Sequence, residues 1–256
     1  MRRWLILALA ALCLLSLPAR AGEQVVAGLS QARVAITTDF AGSEILVFGA
    51  VKRNAPYPEE PPLQVIVTVA GPLEPVTVRR KSRSFGIWVN TASIEVDAAP
   101  GFYAIAATAP LTDALTFTED LRYKVSVPQM IRAVGAPVDI PDAEAFVSAL
   151  IRIRDRNGHY VVKEGAVSLT EDTLFRTSIA LPANLAEGDY TTRIFLTRGG
   201  RVIDVYQTKI NVTMVGLERW AFNLAHEQPL IYGLLSLMIA AGAGWAASAA
   251  FRYIRG

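Results

Sequence analysis

The sequence has few of the side chains that most often carry chemistry. Its 256 residues include one cysteine and two histidines. Cys13 lies in an N-terminal apolar run that we predict to be removed, so the mature chain has no thiol for a disulfide, a thiolate metal site or a cysteine nucleophile. His159 and His226 are not spaced to share a site, and "HEQP" at 226–229 lacks the second histidine of a helical zinc motif. We expect neither a metal nor a cofactor.

Common catalytic signatures are also missing. The sequence has no P-loop, no G-x-G-x-x-G and no G-x-S-x-G elbow, and it lacks the strand–helix alternation of a parallel nucleotide-binding sheet. Two carboxylate pairs, Glu59–Glu60 and Glu119–Asp120, leave acid–base catalysis as a third alternative. Both pairs lie in segments typical of solvated connections, so we expect a protein that is not an enzyme.

The N-terminus has the order of a secretory signal. Two arginines precede the apolar run Trp4–Leu17, and the small-residue segment "PARA" follows it. The alternative is a retained anchor, but a helix of about 14 residues spans only roughly 21 Å of a hydrocarbon core of about 30 Å. We therefore predict that residues 1–21 form a cleaved signal peptide.

A second apolar run lies near the C-terminus. Pro229–Phe251 carries no charge and, as a helix, is about 34 Å long, enough to cross a bilayer. Arg252 and Arg255 follow it and place the tail, residues 252–256, in the cytoplasm by the positive-inside rule. Residues 217–228 have one apolar stripe and predict a juxtamembrane amphipathic helix, either lying on the bilayer or docked on a partner.

The charge balance argues against a nucleic-acid partner. The predicted signal and tail contain five of the 25 basic residues, which leaves 20 against 23 acidic residues in the exported part. Its formal charge is therefore about −3, whereas nucleic-acid binding needs a basic surface.

The exported part shows mainly strand signals. Short β-branched or aromatic runs are bounded by Gly, Pro, Asn or Asp, and the Pro-rich segment 135–141 separates two series of them. Both series place a glycine two residues before a tyrosine, Gly101/Tyr103 and Gly188/Tyr190, like the tyrosine corner of immunoglobulin-like sandwiches. We predict an all-β fold of two such sandwiches, residues 22–134 and 135–216, followed by the single transmembrane helix 229–251.

The basic stretch "VTVRRKSRSFGIWVN" is the main candidate interaction site. Val76 and Val78 have the opposite strand parity from Phe85 and Ile87, so a turn, bulge or strand end must lie within residues 79–84. We interpret the stretch as a basic loop for an anionic or acidic protein surface, followed by a core strand carrying Trp88, with an exposed aromatic as the alternative. The candidate residues are Arg79, Arg80, Lys81, Arg83, Trp88 and Asn90.

The transmembrane segment also carries a face of small residues. Ala240, Gly244 and Ser248 repeat at i+4 spacing, which allows another helix to approach closely. The prediction is a partner in the membrane, and the alternative is a helix of small residues that packs against no other protein.

Three pieces, "RRKSRSFGIWVN", "APGFYAIAA" and the segment beginning "PLIYGLLSLMIAAGAGW", resemble the alphaproteobacterial putative transmembrane protein family of unknown function. The resemblance implies the bacterial inner membrane as the location, with one span and the bulk of the chain in the periplasm. It assigns no activity, and it also implies an association with sulfite-exporter-like permeases as polytopic partners.

The leading functional prediction is a non-enzymatic interaction or accessory module of a membrane complex, in contact with the inner-membrane lipid bilayer. The alternative is a periplasmic ligand-binding module that senses a small anion in a cleft between the two sandwiches and delivers it to a permease. An enzyme that uses paired carboxylates ranks third.

Overall fold

The structure is a computed structural model that describes residues 22–37, 40–53, 60–133, 142–215 and 217–255. The predicted signal peptide and the predicted domain boundary at 135–141 lie outside these ranges. The chain is 49% strand and 29% helix, so the all-β expectation is wrong.

The strands are β1 Glu23–Leu29, β2 Arg33–Ile36, β3 Ser43–Arg53, β4 Leu63–Ala70, β5 Leu73–Ser84, β6 Ile87–Pro100, β7 Tyr103–Ala107, β8 Tyr160–Lys163, β9 Ser168–Thr170, β10 Leu174–Leu181, β11 Gly188–Arg198 and β12 Arg201–Met214. The helices are α1 Leu111–Ala114, α2 Phe117–Tyr123, α3 Val127–Met130, α4 Ala143–Arg156, α5 Leu217–Glu227 and α6 Pro229–Arg255.

The strands form two sheets and one separate hairpin. The four-stranded sheet has the order β1-β3-β10-β9 and the six-stranded sheet has the order β2-β12-β11-β4-β7-β8, while β5 pairs with β6 and with no other strand of the described ranges. Strands from both predicted domains share each sheet, since β3 pairs with β10 and β4 pairs with β11. The expectation of two consecutive sandwiches is therefore replaced by sheets that interleave the two halves of the chain.

The six-stranded sheet is buried on both faces, which makes the fold three-layered. Alternate residues of β4, such as Val65 and Val67, pack with Ile45 and Val47 of the four-stranded sheet. Ile66, between them, joins a second core with the helices and the base of the β5–β6 hairpin. Burial on both faces explains why the β4 sequence "LQVIVTVA" is almost continuously apolar instead of alternating.

Two segments that we expected to be strands are helical. "AFVSALIRIR" lies within α4, where Phe146 and Leu150, four residues apart, are the buried pair. "LRYKVSV" covers the end of α2, the left-handed residue Lys124 and the start of α3. The β-branched residues of both segments favoured a strand locally, but the sheet needs a covering layer on its second face, and packing decides against propensity.

Two residue pairs whose sequences predict hairpin turns, Asn157–Gly158 and Gly199–Gly200, have different structures. Gly199–Gly200, both with positive φ, connect β11 to β12 as a two-residue hairpin turn, which confirms the prediction. Asn157–Gly158 instead follow the end of α4, and the next strand, β8, pairs in parallel with β7.

The two tyrosines of the predicted repeat are also not equivalent. The Tyr190 hydroxyl donates to the Ala186 carbonyl, four residues upstream, as a tyrosine corner does. The Tyr103 hydroxyl donates to Val125 O at 2.7 Å, between α2 and α3. Tyr103 therefore ties the sheet to the helical layer and does not mark a second sandwich.

The C-terminal part consists of two helices in succession. Most of the segment predicted as a juxtamembrane amphipathic helix, 217–228, is helical as α5, with Trp220 exposed, and its place at the membrane stays a prediction. Within α6, the 23 residues Pro229–Phe251 are long and apolar enough to cross a membrane.

Candidate functional site

The β5–β6 hairpin extends well beyond the core that holds its base. At the base, Val78, Ile94 and Val96 are buried in the core on the second face of the six-stranded sheet. Beyond the Val78–Ile94 pair the hairpin continues through residues 79–93, which we call the arm. The six residues of β5 in the arm extend about 20 Å at about 3.4 Å per residue.

The arm ends in a tight turn. Ser84 pairs with Ile87, so Phe85 and Gly86 are the two turn residues, and both have positive φ, 47° and 86°. This is the backbone of a type I′ turn, for which glycine is well suited and phenylalanine is not. The Phe85 side chain is fully exposed, at 105% of its reference area.

The two faces of the arm differ in chemistry. Register pairs on one face are Arg79–Ser93, Lys81–Asn90 and Arg83–Trp88, and we call this the cationic face. The other face carries Arg80, Ser82 and Ser84 opposite Ala92, Val89 and Ile87. The register shifts between Arg80 and Lys81 because Thr91 is an extra residue in β6, a β-bulge, and the strands continue to pair on both sides of it.

The bulge agrees with one of the three structures predicted for residues 79–84, but the basic loop does not form. The four cations lie in a continuous strand, and the turn comes after them. The expectation that Trp88 belongs to a core strand is also wrong, because Trp88 is 69% exposed. The parity argument assumed that β6 faces a core along its whole length, whereas its buried residues begin at Ile94.

Arg80 differs in role from the other three cations. Its guanidinium donates to the Asp142 carboxylate at 2.8 Å and lies over the Phe146 ring at 5.1 Å from the centroid. Arg80 thereby ties the arm to the start of α4. Arg79, Lys81 and Arg83 are exposed, and no ion pair found in the described part of the chain includes them.

The tip of the arm combines these cations with apolar side chains. Ile87 is 65% exposed and lies next to the turn that holds Phe85, on the opposite face of the arm from Trp88. Large apolar side chains gathered at one exposed point mark a contact with a protein or a membrane. Our sequence reading identified the cations and Trp88 but missed Phe85 and Ile87, which it assigned to a core strand.

One of the two predicted carboxylate pairs, Glu119–Asp120, has a structural use. Asp120 accepts hydrogen bonds from Val125 N, Ser126 N and Ser126 Oγ, which closes the turn between α2 and α3. Glu119 accepts from Val202 N at 3.1 Å. Glu59 lies outside the described residues. Within the described ranges, no group of three or more His, Cys, Asp or Glu residues could hold a metal ion.

The small-residue face of α6 is exposed along its length. Ala240, Gly244 and Ser248 all lie at the helix surface, and a Cβ added at Gly244 would meet nothing within 4 Å. The packing partner of this face stays a prediction.

The comparison with protein families matches both the part of the chain before α5, which we call the head, and the apolar helix α6. The family described as "Putative transmembrane protein (Alph_Pro_TM)" matches residues 24–253. The chain belongs to this family. The match includes the arm and the transmembrane segment, so both are parts of the family's shared region.

The other comparisons add no function to this family member. A search of curated proteins found no match. Among solved structures, the crystal structure of Spo0M, a sporulation control protein from Bacillus subtilis, has 11% sequence identity and a TM-score of 0.26, covering 75% of this chain. The alignment spans 49% of the Spo0M chain. A TM-score this low carries no argument about fold or function.

Proposed function

We propose that the protein is a non-enzymatic interaction module of an inner-membrane complex, with its β-rich head in the periplasm and α6 as its single anchor. The observation that carries this proposal is the arm, which presents exposed aromatic and cationic side chains away from the core. The arm would hold the head against an anionic surface, while α6 keeps the head at the membrane.

The interleaved sheets argue against the alternative of a ligand-sensing module. It required a cleft between two consecutive sandwiches, whereas β4 and β11, from the two predicted domains, are neighbours in one sheet. The permease partner came only from the family resemblance, and none of the comparisons supports it, so the proposal does not depend on it.

Photo-crosslinking in native membranes tests the arm. A crosslinking amino acid would replace Trp88 at the tip or, as the control, Thr77 on the same face near the base of the hairpin. We expect crosslinks to a protein or a lipid from Trp88 and few from Thr77. Equal yields at both positions, or none from Trp88, would remove the arm as the interaction element.

The topology has its own test, which does not depend on the arm. If the predicted signal peptide 1–21 is cleaved and the tail lies in the cytoplasm, the purified protein begins after Ala21, and a protease added outside the inner membrane digests the head and spares a C-terminal tag. Digestion of the tag in sealed spheroplasts would reverse the proposed orientation.

A further inference from the structure

We infer that the arm docks its tip into the headgroup region of an anionic phospholipid bilayer, the same bilayer that holds α6. This inference rests on the proposed function, since it names the surface that the arm contacts. Three features support it: the side chains at the tip, the charge of the cationic face, and the length of chain between the head and the anchor.

The tip has the composition of an element that enters a membrane interface. Tryptophan prefers the headgroup level, where its apolar ring is buried and its indole N–H stays hydrated, and phenylalanine adds apolar area that can enter the interface. Phe85, Ile87 and Trp88 are all at least 65% exposed, and they lie on consecutive or neighbouring positions at the turn. Because the two-residue turn joins β5 directly to β6, the strands are paired up to the tip, and the tip can enter the interface without a stretch of unpaired loop.

The cationic face complements anionic lipid. Arg79, Lys81 and Arg83 follow one another at two-residue spacing, so their charged groups lie in a row along the arm, from Trp88 toward the base of the hairpin. Cations near an anionic surface are attracted to it within a Debye length of about 8 Å. With the tip in the interface, Arg83 and Lys81 lie near the phosphates, while Glu95, on the same face beside Thr77, lies toward the base of the hairpin.

The short connection between β12 and α6 favours the bilayer that holds α6 as the surface that the arm contacts. Two residues separate β12 from α5, and Gln228 alone separates α5 from α6. An 11-residue helix is about 16 Å long, so the end of β12 lies within roughly 35 Å of the point where α6 begins. The arm is about 20 Å long, and its first residues still contact the core, since Arg80 lies over the Phe146 ring. Tethering at this range gives the arm a high effective concentration at the bilayer that holds α6.

Site-specific fluorescence on the full chain tests the inference. An environment-sensitive dye would be attached at Phe85→Cys or, as the matched control, at Thr77→Cys, both in a Cys13→Ser background that leaves one thiol. The protein would be reconstituted into vesicles of phosphatidylcholine, with or without phosphatidylglycerol, that contain a nitroxide-labelled lipid as quencher. We expect a blue shift and strong quenching at Phe85→Cys in the anionic vesicles and little change at Thr77→Cys.

A charge-reversal variant is the second part of the experiment. The triple variant Arg79→Glu, Lys81→Glu and Arg83→Glu should weaken docking by on the order of a hundredfold or more and abolish the quenching at Phe85→Cys. Arg176→Glu, on the outer face of the four-stranded sheet, should leave the quenching unchanged.

The inference is wrong if the dye at Phe85→Cys is quenched no more than the dye at Thr77→Cys. It is also wrong if phosphatidylglycerol makes no difference, or if only quencher in separately added vesicles has an effect. Photo-crosslinks from Trp88 to a protein alone would refute the lipid assignment and leave the proposed function standing. Lipid quenching in the vesicles together with Trp88 crosslinks to lipid alone in native membranes would keep the lipid assignment and refute the membrane-complex role.

Discussion

At the level of single residues, Glu23 joins three strands of two sheets. Its carboxylate accepts hydrogen bonds from Arg53 Nε of β3 and from Arg198 Nη2 of β11, each at 2.9 Å, and all three side chains are largely buried. Burial by itself would raise the pKa of Glu23, but the hydrogen bonds and positive charges of Arg198 and Arg53 outweigh it, so the net pKa is lowered. The cluster links the four-stranded sheet to the six-stranded sheet.

Replacing Glu23 with glutamine should destabilise the head. The substitution removes the carboxylate shared by two largely buried guanidinium groups, which keep hydrogen bonds to Thr173 and to the Pro61 carbonyl, so we expect a loss at or below the lower end of the usual range of about 3–5 kcal/mol in the free energy of unfolding. Urea denaturation of the detergent-solubilised full chain, followed by circular dichroism, measures it. Asp189→Asn, which removes an exposed partner of Lys209, is the matched control and should change the midpoint little.

The same cluster predicts a pH dependence with a definite sign. Because the folded pKa of Glu23 is lower than the unfolded pKa, its contribution is fully present above the unfolded value and is lost as the pH falls through the folded one. Stability should therefore fall on acidification below about pH 4.5, and Glu23→Gln should flatten that part of the curve. Parallel curves for the two proteins would show that Glu23 does not titrate with folding.

Phe85 is expected to carry a cost for the fold. A phenylalanine at φ 47° is in the left-handed region, which costs a residue with a Cβ about 1–2 kcal/mol, whereas asparagine suits the first position of a type I′ turn. We expect Phe85→Asn to raise the free energy of unfolding by about 0.5–1 kcal/mol while it weakens docking of the tip. Thermal unfolding of the full chain measures the first effect.

The control for Phe85 is the other turn residue. A Cβ at Gly86 would meet nothing within 4 Å, so Gly86→Ala changes only the backbone preference at φ 86° and should lower stability by about 1 kcal/mol. If both substitutions lowered stability, the Phe85 side chain would contribute to the fold and not to a contact outside it.

At the level of secondary-structure elements, the arm shows what sequence patterns can predict. The parity change around residues 79–84 indicated a break in register, and β5 and β6 do contain a bulge there. Whether the residues after the bulge are buried or exposed could not be predicted, because an apolar residue at a hairpin tip and one in a core have the same local pattern. Only the position of the layer that ends at Val78 and Ile94 decides whether Trp88 is buried.

The contact between the arm and α4 predicts different roles for two adjacent arginines. Arg80→Ala removes the Asp142 ion pair and the contact with the Phe146 ring, while Arg79→Ala removes an exposed side chain. We expect Arg80→Ala to speed amide hydrogen exchange across the arm severalfold with little effect on global stability, since exposed pairs contribute about 1 kcal/mol or less. Arg79→Ala should leave exchange unchanged, and equal effects would contradict separate roles.

At the level of the whole molecule, the sequence identified most strands and the transmembrane segment but not the partners of the strands. β3, β4, β7, β10, β11 and β12 all fall in segments with strand patterns, because those patterns depend on neighbours along the chain. The pairing of β3 with β10 joins residues more than a hundred positions apart. No local pattern encodes it, and the Pro-rich segment between the series made a domain boundary the simpler prediction.

This interleaved topology makes the two halves of the head dependent on each other. Residues 22–134 alone would leave β4 without β11 and β3 without β10, and the core around Val65 would lose Phe175 and Ile194. We expect residues 22–134 and 135–216, expressed separately, to lack a cooperative thermal transition, and residues 22–216 to show one. Calorimetry of the three fragments measures this, and a cooperative transition in either half alone would restore the two-domain arrangement.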